Sequence, residues 1–392
     1  MTERELYRLQ EAVQTEKLAG WLFHNFHHRD IISDSILRID PRAANSRSWI
    51  YAVPARGQAR KIVHAIEAGI LARLPGITSA YLNREEFTAL LIDLARGSSG
   101  PWGVHADDAL SAVSFLDAGT ASLLKNAGFA LTSAAALIQR FKGLLDASGI
   151  ESHQRTAEIL YDLVAEAWNM VKTAGSAGKI LYEGQIRQFF LDECGRRGLT
   201  ADHPPIVAFG VHSGNPHYDF SGSGADLQEG DTVQFDIWAK ENREDAIYAD
   251  ISWIGVNGPQ PSQRLEQAFA DLIAVREETL RYLETAFAAR RPVSGAEVDA
   301  FARSGLTARG YAEALRHRTG HGIDTECHGS GVNMDSVEFP DSRVILEGSC
   351  FSLEPGIYFP DFGLRTEINV YIAQGKPRVS GKTRQFNLLT LP

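Results

Sequence analysis

The sequence predicts an α/β protein of two domains, and three observations lead to this prediction. The chain has 392 residues, enough for about two domains of ~100–200 residues each. Short apolar runs alternate with helical patterns in its first part. Two later segments, starting at Gln185 and Glu297, resemble each other at an offset of 112 residues. We therefore predict domains at residues 1–149 and 150–392, the second built from two duplicated halves.

The first domain alternates predicted helices and strands. Residues 3–18 place apolar side chains on one helical stripe. Three short apolar runs predict strands and two further patterns predict helices; the runs are 21–23, 48–53 and 61–63, and the helices are 84–96 and 119–127. The Ser-Gly pair in 146–149 interrupts the pattern and indicates the domain boundary.

Composition and charge narrow the possible functions. The formal net charge is −10 and no block of basic residues appears, so we expect no nucleic-acid partner. The N-terminus lacks the apolar segment of a signal peptide, and no apolar run reaches the ~18 residues of a membrane span. Three scattered cysteines, Cys194, Cys327 and Cys350, are typical of a reducing compartment. We therefore expect a cytoplasmic protein without a membrane partner, and we interpret Cys327 as a packing residue.

The two predicted halves of the second domain begin with similar helices. Residues 151–174 and 264–289 each predict a long helix, and the second copy of the repeat opens with the capping-box pattern Ser294 to Glu297. Chance similarity between amphipathic helices is the alternative explanation. If the duplication is real, chemistry in the last third should have a counterpart about 112 residues earlier.

That counterpart is a pair of strand-like runs with acids inside them. In 232–238 the apolar residues share one face, while Gln234 and Asp236 share the other. Asp250 stands in a similar run, 247–253, after a charged loop. Because an aspartate is unfavourable in mid-strand without a partner, we predict a hairpin that holds a carboxylate pair.

The last third repeats this arrangement. One run ends at Glu354, which Pro355 biases toward extended geometry, and the predicted return strand 364–370 carries Glu367. His321 lies in a glycine-rich segment before them. Four carboxylates and an imidazole suit two divalent cations, because the opposite charges remove the cost of burying the acids unpaired. The oxygen-rich shell favours Mn²⁺, Co²⁺ or Zn²⁺ over copper.

On these residues the chain resembles the pita-bread-fold metallopeptidase family, which includes creatinase, Xaa-Pro aminopeptidases and prolidases. The matching positions are His217-Tyr218, Asp236, Asp250, Gly320-His321-Gly322, His328-Gly329, Glu354-Pro355-Gly356 and the pair Arg365 and Glu367. Residues 1–149 resemble the creatinase-like N-terminal domain of the two-domain members. The resemblance is greatest to a bacterial Xaa-Pro dipeptidase.

The resemblance implies hydrolysis of the Xaa-Pro bond, in dipeptides as in a prolidase, by a hydroxide that bridges two metal ions. Mn²⁺ is the expected ion, with Zn²⁺ or Co²⁺ as alternatives. The implied metal ligands are Asp236, Asp250, His321, Glu354 and Glu367.

The resemblance also implies roles for the residues around the metals. Glu354 would be the general base, and His217 and His328 would bind the substrate and its oxyanion. Arg365 would orient the ligands or bind the substrate. Family members are often homodimers, so Arg47 of a partner's N-terminal domain could bind a substrate carboxylate.

Three alternatives remain open: an Xaa-Pro aminopeptidase acting on longer peptides, a metal-free creatinase-type hydrolase, and a non-catalytic binding homologue. The last two typically lose metal ligands, whereas this chain keeps all five. The sequence departs from the common family pattern in a longer segment between Asp236 and Asp250, and in Ser252-Trp253, which replaces a Thr-Arg pair. We expect neither departure to touch a ligand, and we expect His212 to be structural.

Overall fold

The computed structural model describes residues 1–97 and 99–390, which belong to two compact units, Met1–Lys142 and Gly143–Pro392. The division after residue 142 differs from the predicted boundary after residue 149. Ser148 and Gly149 lie inside a long helix, because the Asp146 side chain caps that helix by accepting a hydrogen bond from the Gly149 N–H at 2.8 Å. The Ser-Gly pair is therefore part of a helix start and not a linker.

The first unit is a six-stranded sheet with helices packed against it. In chain order its elements are α1 (Glu3–Thr15), β1 (Gly20–Asn25), α2 (Ile31–Leu37), β2 (Trp49–Pro54), β3 (Arg60–His64), β4 (Ile77–Tyr81), α3 (Arg84–Ala95), β5 (Trp102–Val104), α4 (Ala118–Asn126), β6 (Leu131–Ser133) and α5 (Ala135–Phe141). The strand order is β4-β3-β2-β1-β5-β6, with β1–β2 and β2–β3 antiparallel and the other pairs parallel. The predicted runs lie in strands, and α3 and α4 match their predictions to within one residue.

Both faces of this sheet are buried. Trp21 and Phe23 pack into one apolar cluster, while Leu22 packs into another. Because successive side chains of a strand point to opposite faces, this division places helices on both sides of the sheet. The first unit is therefore an α/β layer structure, as predicted.

The second unit consists of helices and three groups of strands. In chain order its elements are α6 (Ala147–Ser176), α7 (Glu183–Arg196), β7 (Leu199–Thr200), β8 (Ile206–Phe209), β9 (Thr232–Glu241), β10 (Ala249–Val256), α8 (Gln263–Ala288), α9 (Gly295–Ala308), β11 (Cys350–Leu353), β12 (Gly356–Tyr358), β13 (Gly363–Arg365), β14 (Ile368–Ala373), β15 (Lys376–Val379) and β16 (Leu389–Thr390). One sheet has the order β16-β10-β9-β7 with β8 also on β9, a second is β11-β14-β15, and β12 pairs with β13.

The helices confirm the predicted duplication. Helices α7 and α9 both have 14 residues, and their bounds differ by 112 positions at each end. Helices α6 and α8 end at residues 176 and 288, which is the same offset. The predicted capping box at the start of α9 is present, with Ser294 and Glu297 bonded reciprocally. Each half thus contains a long helix and a 14-residue helix, followed by strands.

One prediction about the second half is wrong in detail. The expected return strand 364–370 is two strands, β13 and β14, separated by Thr366 and Glu367. The ladder between β11 and β14 ends at the pair Leu353–Ile368, because Pro355 has no N–H to continue it. Both strands leave the sheet here, and the two predicted carboxylate ligands of this half, Glu354 and Glu367, lie at that point.

None of the helices in 1–97 and 99–390 is long and apolar enough to cross a membrane.

Candidate metal centre

The first pair of predicted ligands comes from the hairpin of β9 and β10. Asp236 is opposite Ser252 and Asp250 is opposite Trp238, so the two acids are diagonal neighbours. The apolar side chains of β9 point to the opposite face, where Phe235 packs on Trp168 at a centroid distance of 5.0 Å. This apolar packing fixes the hairpin and leaves both buried carboxylates on its other face.

The second half adds two acids and the imidazole. Glu354 follows β11 directly and Glu367 precedes β14. His321 donates its backbone N–H to Ser352 Oγ at 2.9 Å, which places its ring beside the acids. Its Nε2 lies 3.5 Å from Asp250 Oδ2 and 3.3 Å from Glu354 Oε1.

The five predicted ligands therefore converge in one place. Donor atoms of Asp236, Asp250 and Glu367 all lie within 4.8 Å of one another, and so do donor atoms of His321, Glu354 and Glu367. Glu367 belongs to both groups and connects them. A cluster of this size is compatible with two neighbouring cations that share ligands.

The electrostatics of the cluster fit divalent cations. Burial and the neighbouring carboxylates raise the pKa of Asp250 and of Glu367 well above their usual values. Within the described chain, Asp250 Oδ1 and Glu367 Oε1 are buried without a hydrogen-bond partner. Buried polar atoms nearly always have a hydrogen-bond or metal partner, and a bound cation would supply one for these two oxygens.

Arg365 and Ser252 tie the ligands together. Arg365 is buried and bonds Asp236, and it also donates to Ser252 Oγ at 3.2 Å, to the Pro216 carbonyl at 3.0 Å and to Tyr358 Oη at 3.2 Å. These contacts favour the ligand-orienting role over the substrate-binding role.

The expectation that Ser252 touches no ligand is wrong. Its hydroxyl bonds Asp236 and lies 3.1 Å from Glu367 Oε2, because the β9–β10 register places it opposite Asp236. A residue two positions after Asp250 shares its strand face, and that spacing was the available signal.

The two predicted substrate histidines lie in different surroundings. His328 is exposed, and its ring centroid is 4.2 Å from that of His321. The nearby His321 and partial desolvation lower the pKa of His328 to about 4, which favours the neutral ring with one N–H donor. His217 is exposed on the loop after β8, and the bond from Arg365 to the Pro216 carbonyl fixes that loop.

Arg47 belongs to the first unit, where it is exposed. Its backbone N–H bonds Glu67 Oε2 at 3.0 Å, and its guanidinium bonds the Ser46 carbonyl at 3.0 Å. Its role at a substrate carboxylate remains a prediction.

Two buried acids support the loops of the site, and the sequence did not reveal them. Glu183, at the start of α7, accepts the N–H groups of Phe209 at 2.9 Å and Ala225 at 2.7 Å. It also bonds Tyr218 Oη at 3.0 Å and His212 Nδ1 at 2.9 Å, and the expected structural role of His212 is compatible with this bond. Asp299, in α9, supports the other half.

Asp299 holds the segment that leads into His321. It accepts the Thr319 N–H at 2.9 Å and the Ser336 N–H at 2.8 Å, and it bonds both hydroxyls at 2.5 Å. The loops that carry His217 and His321 are thus each anchored by a buried carboxylate from the 14-residue helix of their half.

Arg318 is a further residue that sequence reasoning missed. Arg318 is half-buried. Burial and Glu354 have the largest effects on the pKa of His321, and the charge of Arg318 also lowers this pKa. It also contributes to the lowered pKa of His328. In the part of the chain that the structure covers, no carboxylate or other side chain pairs with its guanidinium. An unpaired arginine beside a cluster of this kind can bind an anion.

The fold and the cluster together define the pita-bread class of metallopeptidases. A sequence profile of metallopeptidase family M24 matches residues 151–374, more than half of the chain. The chain belongs to metallopeptidase family M24.

Individual relatives agree with this assignment. The chain is 34% identical over 189 residues to "Probable dipeptidase PepE" of Mycobacterium tuberculosis, covering 48% of this chain and 46% of that protein. It is 32% identical over 164 residues to "Xaa-Pro dipeptidase" of Lactobacillus delbrueckii subsp. lactis, covering 41% and 40%. The matched part thus spans about half the length of these relatives. The crystal structure of dipeptidase PepE from Mycobacterium ulcerans has a TM-score of 0.75 at 22% identity, covering 99% of this chain and 97% of that one.

Proposed function

We propose that this chain hydrolyses the Xaa-Pro bond of dipeptides with two divalent metal ions. The observation that carries the proposal is the convergence of five donor side chains in one buried cluster, namely Asp236, Asp250, His321, Glu354 and Glu367. The relatives named dipeptidase and Xaa-Pro dipeptidase support the choice of reaction. When bound, the ions, with Mn²⁺ as first choice and Zn²⁺ or Co²⁺ as alternatives, would polarise the substrate carbonyl and lower the pKa of the attacking water.

The chain's own groups would handle the protons and the developing charge. Glu354, held by Ser352 Oγ at 2.9 Å, would accept a proton from the attacking water and deliver it to the leaving proline nitrogen. His328 and His217 would donate N–H groups to the carbonyl oxygen as its negative charge grows. Arg365 would hold Asp236 in position throughout.

A dipeptidase must also bind the free carboxylate of its substrate. Arg365 is engaged by Asp236, Ser252 and two further acceptors, so Arg318 is the better-placed arginine within this unit. An arginine offers a planar pair of donors to a carboxylate. Arg47 of a second copy, in a homodimer, is the competing candidate.

The decisive experiment compares Ala-Pro with Ala-Pro-Ala, using metal-stripped protein with and without added Mn²⁺. Metal-dependent cleavage of the dipeptide alone would support the proposal. Preference for the tripeptide would make the chain an Xaa-Pro aminopeptidase. Cleavage of neither peptide, despite two bound metal ions, would contradict the proline specificity and favour a different hydrolase or a binding homologue.

The same assay identifies the arginine that binds the carboxylate. We expect Arg318→Gln to raise KM for Ala-Pro by about 10- to 100-fold, the value of a charged hydrogen bond, and to leave Ala-Pro-amide much less affected. Arg316→Gln is the matched control, because Arg316 is exposed and bonds the Glu313 carbonyl. A selective effect of Arg47→Gln instead would assign the role to the first unit.

A further inference from the structure

Cys327 lies inside the candidate metal centre, although the sequence suggested only a packing role. It is buried, and its Sγ is 3.2 Å from Asp250 Oδ2. The Sγ of Cys327, a donor nitrogen of His321 and a donor oxygen of Asp250 all lie within 4.8 Å of one another. Nitrogen, oxygen and sulfur donors at this spacing form a mixed set that can share one cation.

The loop that carries Cys327 is held rigidly. Asp324 accepts the Glu326 N–H at 2.9 Å and the Ser330 N–H at 2.8 Å. The Gly329 N–H closes the loop onto the Gly322 carbonyl at 2.7 Å. Because these bonds lie on both sides of Cys327, the thiol is positioned by the backbone before any ligand arrives.

Unsatisfied carboxylate oxygens near Cys327 independently indicate a cation site. Asp250 Oδ2 accepts a hydrogen bond from the Cys327 thiol. The other oxygen, Asp250 Oδ1, is buried and has no hydrogen-bond partner in residues 1–97 and 99–390. Glu367 Oε1 is in the same state. A hydrogen bond from the thiol therefore leaves part of the cluster unsatisfied, and a cation would complete it.

The charge balance of the cluster is also compatible with a thiolate ligand. With two divalent cations bound, Asp236, Asp250, Glu354 and Glu367 would all be ionised and would carry four negative charges, and Arg365 offsets one of them through its bond to Asp236. A thiolate would restore the total to four, which balances two divalent cations. Buried charges are tolerated when they are balanced in this way.

We propose that Cys327 is a metal ligand, which with Asp250 and His321 makes one of the two metal positions a thiolate site selective for Zn²⁺ or Co²⁺ over Mn²⁺. On metal binding the S–H bond breaks, a metal–sulfur bond forms and the proton leaves to solvent, with no change in oxidation state. Soft thiolate ligands select such ions, whereas carboxylates alone suit Mn²⁺. This inference rests on the metal centre of the proposed function, and it revises the ion expected there.

Cobalt provides a spectroscopic test that does not depend on activity. Metal-stripped protein would be titrated with Co²⁺ while near-ultraviolet and visible absorption are recorded. Wild type should show a sulfur-to-cobalt charge-transfer band together with visible ligand-field bands. Cys327→Ser and Cys327→Ala should both lose the charge-transfer band, and Cys327→Ser keeps a hydroxyl that can still donate to Asp250.

The other two cysteines give matched controls. Cys350 is buried and lies 3.7 Å from His153 Nε2, and Cys194 is half-buried, so Cys350→Ser and Cys194→Ser should retain the band. If wild type binds cobalt without showing a charge-transfer band, Cys327 is not a metal ligand, and the proposed function is unaffected. A charge-transfer band that persists in Cys327→Ser would also show that Cys327 is not the metal ligand. Failure of wild type to bind cobalt would overturn the metal centre itself.

Metal competition supplies a second measurement. In equilibrium dialysis we expect wild type to prefer Zn²⁺ over Mn²⁺ by about tenfold more than Cys327→Ser does. Equal preferences in the two proteins would contradict the proposed selectivity.

Discussion

The two halves of the second unit share helices and paired acids but differ in their histidines. The position 112 residues before His321 is Phe209, which is buried in the apolar core of the first half. The histidine of that half, His217, comes later, on an exposed loop. Duplication thus supplies carboxylates from both sides, whereas the nitrogen donor comes from one side only.

The acids of the two halves are also held differently. Asp236 and Asp250 lie within regular strands, whose ladder fixes the backbone on both sides. Glu354 and Glu367 lie where β11 ends and before β14 begins. The half with regular strands uses the shorter acid and the half with broken strands uses the longer one. We infer that the strands of the first half give a rigid platform for their two acids and that the second half carries the proposed general base, Glu354.

Glu354→Ala is the strongest test of this division. We expect at least a ~10³-fold loss of Ala-Pro turnover with the fold intact, because the general base and one ligand are both removed. Turnover and the circular dichroism spectrum would be measured together. Glu338→Ala is the control, since that residue is exposed in the same half. Activity above roughly a tenth of wild type would refute the base role.

The supporting acids allow the halves to be perturbed separately. Asp299→Ala would orphan the Thr319 and Ser336 N–H groups, and we expect about 3 kcal/mol lower stability together with reduced metal content. Glu183→Ala should cost a similar amount of stability but leave metal content near wild type, because its loop carries His217 and no predicted ligand.

Thermal unfolding and metal analysis of both variants would check this contrast. Equal metal loss in both would mean that the loop held by Glu183 also supports the metal ligands and that the expected difference between the two variants is wrong.

His328→Ala separates substrate chemistry from metal binding within the second half. We expect kcat to fall about 10²-fold, the usual value of an oxyanion donor, while metal content stays unchanged. His321→Ala is the comparison, because it removes a predicted ligand only seven residues away and should lower metal content. A metal-free His328→Ala protein would show that His328 is a ligand.

Much of the fold and of the metal cluster could be predicted, because the sequence patterns that indicate them are periodic. Alternation in 232–238 placed Asp236 on the face opposite the apolar core, and the repeat offset placed α7 and α9 correctly. Contacts between distant segments were not predictable. Nothing local indicates that Ser252 meets Glu367 or that Cys327 meets Asp250, because those approaches depend on how the hairpins of the two halves pack together.

The two long helices, α6 and α8, differ at one buried position. His153 in α6 is fully buried, and the position 112 residues later in α8 is the buried Leu265. His153 donates from Nδ1 to the Tyr248 carbonyl at 2.6 Å, and its Nε2 is hydrogen-bonded to Ser380 Oγ at 2.6 Å. Burial lowers the pKa of His153 to about 4 from the usual 6.5.

This histidine should make folding stability depend on pH. The folded state binds a proton less readily than the unfolded state, so the stability contribution of His153 is full above pH 6.5 and is lost as pH falls toward 4. His153→Leu should be less stable than wild type at pH 7, because the Tyr248 carbonyl and the Ser380 hydroxyl lose their partner. The gap should narrow by about 2 kcal/mol between pH 6.5 and pH 5.

Urea unfolding at several pH values, in the presence of a chelator, would measure the gap. His203→Leu is the control, because His203 is exposed and its loss should leave the pH dependence unchanged. A gap that stays constant with pH would mean that His153 is not held neutral by its burial. The first half would then tolerate a charged group at the position where the second half has leucine, and the two long helices would pack against environments of different polarity.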